Sequence, residues 1–358
     1  MKILAIETSC DETAVTLLEI SGALEKPNIK VLGDSLMSQI SIHEKYGGVY
    51  PNLAKREHEK NLPILLDKTL KDAGESTESP LIDCIAVTEG PGLEPALWVG
   101  INFALELGKK LNKPVVPVNH MEGHIFSTLY NLKEGESLAL PALALLVSGG
   151  HTELVVVKDF RNYKIIGETR DDAVGEAFDK VARMLGLPYP GGPKISKLAE
   201  ISRGKKKSIE IEFPRPMLHS KELDFSISGL KTAVLYKLKN ENRSDEDFKE
   251  DVSRAFEDAA ISVLIEKTCR ALLEREGEIK TLIVAGGVSA NTHLSRELEK
   301  LVGSFPDIKL HLPVKYLTTD NAIMIAIAAF IRVTKEPETL KNQLEIRARG
   351  RLSISSAP

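Results

Sequence analysis

Cysteine is scarce in this 358-residue chain: Cys10, Cys84 and Cys269 stand far apart. An odd, scattered set excludes a disulfide framework and a CxxC zinc site, and it favours a reducing cytoplasm. Also missing is any apolar run long enough to cross a bilayer without a charge, glycine or proline, so no membrane role is expected. The opening MKILAIETSCDE turns acidic after a short apolar run, without the length or cleavage pattern of a secretory leader. Nor is there an excess of positive charge. A formal net charge of −4 argues against indiscriminate coating of nucleic acid. Local basic clusters do occur, at Lys194, Lys197, Arg203, Lys205, Lys206 and Lys207, and again at Arg347, Arg349 and Arg351. Solvated Lys/Arg faces account for each taken alone.

What is present is a globular composition, 42% hydrophobic and 27% charged, in a chain too long for one ordinary core. Two packed lobes are the default. Apolar Ile3 to Ile6, a polar turn over Thr8 to Thr13, Ala14 to Leu18 and the alternating Lys30 to Gln39 predict three meandering strands. A helix follows from about Asn52 to Ala73, then a strand at Cys84 to Thr88, a helix to about Leu111 and a strand at Val115 to Val118. That order matches a ribonuclease-H-like α/β unit. It recurs more weakly: ALALLVSGGHTELVVVKD and YKIIGETR predict three strands, a helix spans Asp172 to Leu185, and TLIVAGGV precedes a helix over Thr292 to Val302. The expected fold is therefore α/β and actin-like, of the sugar kinase, Hsp70 and actin superfamily, with two ribonuclease-H-like lobes facing a cleft. The expected lobes are 1–138 and 139–319. An insertion at about 187–251 breaks the second, a helix at about 320–333 packs at the junction, and 340–358 is a tail.

The most telling local pattern is His120 and His124 in VNHMEGHIF, directly after a strand. Imidazoles at i and i+4 share one helical face and suit a divalent transition metal; the ordinary alternative is a buried or capping pair. Asp320 opens an alanine-rich helix and is a natural N-cap. If the two lobes face each other, it could instead complete a three-ligand site with open positions. VSGGHT (147–152) and AGGVSAN (285–291) are glycine turns of the kind that bring backbone N–H groups close to an anion, or that merely pack tightly. YPGGP (189–193) is a rigid bare turn that suits a flat base or ribose, or that serves as a purely structural loop. Asp171 and Asp172 read as caps of the helix they precede, whereas Asp179, two turns inside, pairs either with Arg183 or with a ligand.

Together ETSCDET, HMEGH, LVSGGHTEL, DDAVGEAFDKVARMLGLPYPGGP, FSISGLKTA, GGVSAN and TDNAIMIA resemble the TsaD family, the tRNA N6-adenosine threonylcarbamoyltransferases once described as O-sialoglycoprotein endopeptidases. The resemblance runs from Lys2 to about Arg332, and SIHEKYGGVYPNLAKREH is similar to the bacterial and mitochondrial branch. It implies transfer of a threonylcarbamoyl group from threonylcarbamoyl-AMP to N6 of adenosine 37 in tRNAs reading codons that begin with A. It also implies one divalent metal ion, Fe2+ or Zn2+, on His120, His124 and Asp320. Leu146, Val147, Ser148, Gly149 and Gly150 match the loop that contacts the acyl-adenylate; Asp179, Gly192 and Asn291 match nucleoside contacts; Asp11 matches an acidic position needed for activity. A TsaB-like paralogue and a TsaE-like ATPase are the expected partners.

Two departures stand out. Where the family commonly has an acidic residue three after the PGGP proline, this chain has Ser196, which predicts weakened ribose binding. The ARGRLSI ending only loosely follows the family's basic aromatic tail. The rival readings are a zinc endopeptidase, a non-catalytic scaffold and a kinase or ATPase of the same fold. Zincins need HExxH, and here Met121 follows the first histidine while Glu122 comes one later.

Overall fold

A computed structural model describes residues 1–205, 210–241, 243, 245–341 and 345–356. Lys206 and Lys207 of the basic run, and 342–344 and 357–358 of the tail, lie outside the described residues. Two compact units divide the chain: Met1–Ala139, Lys158–Tyr163 and Pro313–Pro358 form the first, Leu140–Val157 and Lys164–Leu312 the second.

In the first unit β1 (Lys2–Glu7), β2 (Glu12–Ala23) and β3 (Lys26–Ser38) form the antiparallel meander. The chain then runs through α1 (Ile40–His43), α2 (Pro51–Asp72), β4 (Cys84–Gly90), α3 (Glu94–Leu111), β5 (Val115–Asn119) and α4 (His120–Phe126). The sheet order is β3-β2-β1-β4-β5, with β1, β4 and β5 parallel. Parallel strands covered on both faces read as unbroken apolar runs, and Ile3–Ile6 and Cys84–Val87 are fully buried accordingly. Leu62, Leu65 and Leu70 of α2 and Leu97, Ile101 and Ala104 of α3 close one face of that core.

The second unit repeats the pattern. β6 (Ala142–Val147), β7 (Thr152–Asp159) and β8 (Asn162–Glu168) lead into α5 (Val174–Met184), α6 (Gly191–Gly204), α7 (Ser228–Glu241) and α8 (Glu246–Leu273). β9 (Thr281–Ala285), α9 (Thr292–Val302) and β10 (Lys309–His311) follow, before α10 (Ala322–Lys335) returns the chain to the first unit. The order β10-β9-β6-β7-β8 again puts the first strand between an antiparallel and a parallel neighbour. The stretch at 187–251 supplies Ile195, Ala199, Phe213, Phe225, Ile227 and Leu230 to this core. In each unit the first strand lies between an antiparallel and a parallel neighbour, and the carboxyl ends of such strands are where open α/β sheets bind ligands.

One carboxylate is strained electrostatically by this packing. Burial, with Glu168 nearby, raises Glu153 on β7 from 4.5 to about 7. A raised folded pKa means a contribution to stability that is whole below about pH 4.5 and is lost as pH rises through about 7. Glu153→Gln should therefore stabilise the protein by about 3 kcal/mol more at pH 8 than at pH 4. Urea denaturation at both values checks this, and an equal change at both would reject it.

Candidate functional site

The first cluster grows from the carboxyl edge of the β1-β4-β5 sheet. Asn119 ends β5, and its side-chain oxygen accepts the Met121 N–H at 2.9 Å, capping α4. The helix thus begins at His120, and His120 and His124 lie one turn apart with ring centroids 4.6 Å from each other. At the start of α10 the cap is Asn321, whose Oδ1 accepts the Met324 N–H at 2.9 Å. Asp320 is not the cap that its position suggests, and its carboxylate turns to the histidines. Its Oδ1 lies 3.2 Å from Nε2 of His120 and 3.2 Å from Nε2 of His124. All three residues belong to the first unit, so they meet within one unit and not across two.

The ligand atoms lie within 4.8 Å of one another. Atoms bound at about 2.1 Å around a tetrahedral ion stand roughly 3.4 Å apart, so the spacing fits one small cation. Behind His120 stands Glu7, the last residue of β1 and wholly buried. Its Oε2 lies 3.1 Å from Nδ1 of His120 and accepts the Thr88 hydroxyl at 2.6 Å, while Oε1 accepts the Ser9 N–H. A carboxylate on the far nitrogen fixes a metal-binding histidine's tautomer and raises its basicity. Glu7 escaped notice in the sequence because a polar residue ending a strand signals nothing by itself; its place in ETSCDET was the only hint.

Burial disfavours charge on His120, yet Asp320 and then Glu7 override it and raise its pKa to about 10. The same contacts with His120 hold Glu7 and Asp320 below their ordinary range despite burial. Burial lowers His124. Without metal, the group is an imidazolium between two carboxylates; a divalent cation in place of that proton would bring the group to neutrality.

Asp11 sits on the β1–β2 turn, nearly buried. The turn is gripped from behind. His58 of α2 bonds the Cys10 carbonyl through Nε2 at 3.0 Å and meets the Thr13 hydroxyl through Nδ1 at 2.8 Å. The Gln39 N–H donates to the Asp11 carbonyl at 2.9 Å. Burial lowers the pKa of His58, favouring the neutral ring. Beside Asp11, burial and then the Asp11 charge push Glu12 well above the usual carboxylate range. Glu122 does not face the histidine group: its carboxylate holds Arg161 at 2.8 and 3.1 Å.

In the second unit the sequence-predicted loops gather at the carboxyl ends of β6 and β9. Leu146 and Val147 end β6, and the turn Ser148–Gly150 is closed by the Ser148 N–H to the His151 carbonyl at 2.9 Å. Gly286, after β9, has φ +94°, and a Cβ there would lie 2.5 Å from the Val147 carbonyl oxygen. Only glycine allows the two turns to approach this closely. Asp179 accepts the Gly191 N–H at 2.7 Å, so it anchors the start of α6. A Cβ on Gly191 would enter the Ala182 methyl, while Gly192 beside it is open. Asn291 caps α9 through Leu294 N–H at 2.9 Å and reaches Ser196 and Glu257 with its amide nitrogen.

Other expectations change. Asp171 caps α7, 55 to 57 residues on, accepting from Ser226, Ile227 and Ser228; Asp172 pairs with Lys180 and Lys231. The basic run is partly neutralised. Arg203 is bound by Glu200, Glu257 and Asp258, and Lys205 by Asp247 and Glu250. In the tail, Ile346 and Ile354 are buried, and the Arg349 N–H donates to the Glu89 carbonyl at 2.8 Å.

A strand pattern built twice, with a His–His–carboxylate group at one carboxyl edge and glycine turns at the other, defines an actin-like α/β protein. HypF of T. kodakarensis shares this fold with a TM-score of 0.56 at 14% identity, over 95% of this chain and 49% of that one. The sequence profile described as tRNA N6-adenosine threonylcarbamoyltransferase matches residues 30–327. Proteins of that name from Persephonella marina and Bacillus subtilis are each 44% identical to this chain. The first match covers 98% of this chain and 96% of the relative, the second 94% and 91%. The chain belongs to the tRNA N6-adenosine threonylcarbamoyltransferase family. Its activity is the acyl transfer that places threonylcarbamoyl on N6 of a tRNA adenosine. No described helix is long and apolar enough to cross a membrane.

Proposed function

We propose that the threonylcarbamoyl donor is threonylcarbamoyl-AMP and the acceptor is adenosine 37 of tRNAs that read codons beginning with A. On this reading His120, His124 and Asp320 hold one divalent ion, Fe2+ or Zn2+. The observation that carries it is the convergence of two imidazole nitrogens on one carboxylate oxygen at 3.2 Å, with the Glu7 carboxylate 3.1 Å from the far nitrogen of His120. A bound ion supplies Lewis acidity toward an acyl or phosphoryl oxygen.

The remaining chemistry falls to the chain. The exocyclic nitrogen of adenine forms a bond to the carbamoyl carbon, the carbon–oxygen bond to phosphate breaks, and AMP leaves with that oxygen. An aromatic amine is a poor nucleophile, so orientation carries much of the rate. Asp179 anchors the turn at Gly192, and Gly192 and Asn291 hold the nucleoside. The Ser148–Gly150 turn meets the acyl-phosphate with the Gly149 N–H, since the Ser148 N–H donates to the His151 carbonyl and the Gly150 N–H to Ser148 Oγ. Asp11 takes the N6 proton or orders the acceptor, on a turn held still by His58 and Gln39. Adenosine 37 lies in a loop, where its base can be presented without opening a duplex. A TsaB-like paralogue and a TsaE-like ATPase complete the cycle in the cytoplasm.

A zinc-peptidase reading would need a free general-base carboxylate beside the first histidine, and Glu122 is held by Arg161. Reconstitution with purified threonylcarbamoyl-AMP and unmodified tRNA, read by nucleoside mass spectrometry, tests the donor. One AMP should be released per modified adenosine. Modification that needs ATP and ignores the adenylate would overturn the donor assignment.

A further inference from the structure

Ser196 occupies the place where the resemblance leads one to expect a carboxylate, yet a carboxylate lies directly behind it. Glu257 of α8 is fully enclosed, and Arg203 Nη1 donates to its Oε2 at 2.6 Å. Its Oε1 takes the Ser196 hydroxyl and, at 2.6 Å, the Asn291 amide nitrogen. Asn291 also donates to Ser196 Oγ at 2.6 Å. The amide orientation follows from chemistry, because the Asn291 oxygen is already committed to the Leu294 N–H.

One amide hydrogen of Asn291 points between Ser196 and Glu257, and Ser196 spends its single proton on Glu257. A hydroxyl in that state cannot donate outward. What half-buried Ser196 has left is a lone pair, polarised by the carboxylate it serves. It therefore presents an acceptor, as an acidic side chain would.

We propose that Glu257 is a positioning residue for the nucleoside: with Asn291 it sets the Ser196 hydroxyl as an acceptor for a ribose hydroxyl of the adenylate. The carboxylate moves one layer inward, from the ligand-facing position to the position beneath it. This replaces the sequence-based expectation of weakened ribose binding, and it rests on the reading that Gly192 and Asn291 hold the nucleoside.

The test compares AMP with 2′,3′-dideoxy-AMP, which lacks the hydroxyls in question, by calorimetric titration of the full chain. Wild-type protein should prefer AMP by about tenfold, the range of one charge-assisted hydrogen bond. Glu257→Gln and Ser196→Ala should each bring that preference close to one and leave the dideoxy affinity unchanged. Ser196→Ala removes the hydroxyl without disturbing the Arg203–Glu257 pair, so it decides the matter should the buried substitution impair folding. The double variant Ser196→Asp, Glu257→Gln should restore the preference, because the glutamine amide then donates to an outer carboxylate. Ser196→Asp alone would set two carboxylates against each other and should bind AMP less well than wild type. A preference for AMP retained by Glu257→Gln overturns the role of Glu257, and one retained by Ser196→Ala overturns the acceptor at Ser196 and the proposal with it. Wild-type protein that binds neither nucleotide overturns the nucleoside reading, and this proposal with it.

Discussion

His120→Ala protein should lose its metal on dialysis and form modified adenosine about a thousandfold more slowly than wild type, or not measurably. The ligand set leaves little redundancy, since among the described residues the candidate group is His120, His124 and Asp320. Removing His120 also strips Glu7 of the imidazole that compensates its buried charge. A drop in stability would therefore accompany that variant and confuse its interpretation. His124→Ala separates the effects. Its Nδ1 has no hydrogen-bond partner among the described residues, and its loss leaves the Glu7–His120 contact in place. Both variants should lose metal, as read by plasma mass spectrometry, and both should lose transfer to a similar extent. The double variant should be no worse than either, because ligands of one ion act as a unit. Full transfer by metal-free His124→Ala protein would end the metal reading while leaving the family assignment untouched.

Legibility in the sequence followed the range of the interaction. The strand meander and the α2, α3, α5 and α9 helices were visible in their own periodicity, since an apolar face is a local pattern. The histidine pair was visible for the same reason: four residues on a helix lie side by side. Asp320 was ambiguous because Asp320 and Asn321 are both good caps. The choice fell to Asn321, as only Asp320 had imidazoles to meet. Asp171 was read as a cap of the nearest helix and caps a distant one, which local spacing has no means to show. Ser196 looked like a loss because its compensating partner lies 61 residues further on, inside α8. The basic run read as a solvated face because the acids that neutralise Arg203 and Lys205 arrive mostly from α8. In each case the pairing depends on a tertiary contact that no window of sequence contains.

Glu7 is the furthest-reaching example, 113 residues from the histidine it supports, and it gives the second large prediction. Glu7→Gln should weaken metal binding by about 10- to 100-fold, with transfer at limiting metal falling in parallel. The reason is a tautomer. The wild-type carboxylate accepts from Ser9 N–H, the Thr88 hydroxyl and His120 Nδ1, three donors at once. Glutamine keeps one oxygen. If that oxygen stays with the fixed Ser9 N–H, the amide N–H2 faces His120 Nδ1 and requires it to accept. The proton then sits on Nε2, the nitrogen that must be bare to bind a cation. If the amide flips, its hydrogens oppose the Ser9 N–H and leave a buried donor unsatisfied, at a cost of about 1–3 kcal/mol. Neither orientation serves both neighbours. Titration of the apo-protein with buffered Zn2+ measures the first consequence, and the nitrogen shifts of His120 in an NMR spectrum of labelled protein measure the tautomer directly. Wild-type affinity together with a wild-type Nδ1–H signal would show that Glu7 does no more than fill its place at the end of β1.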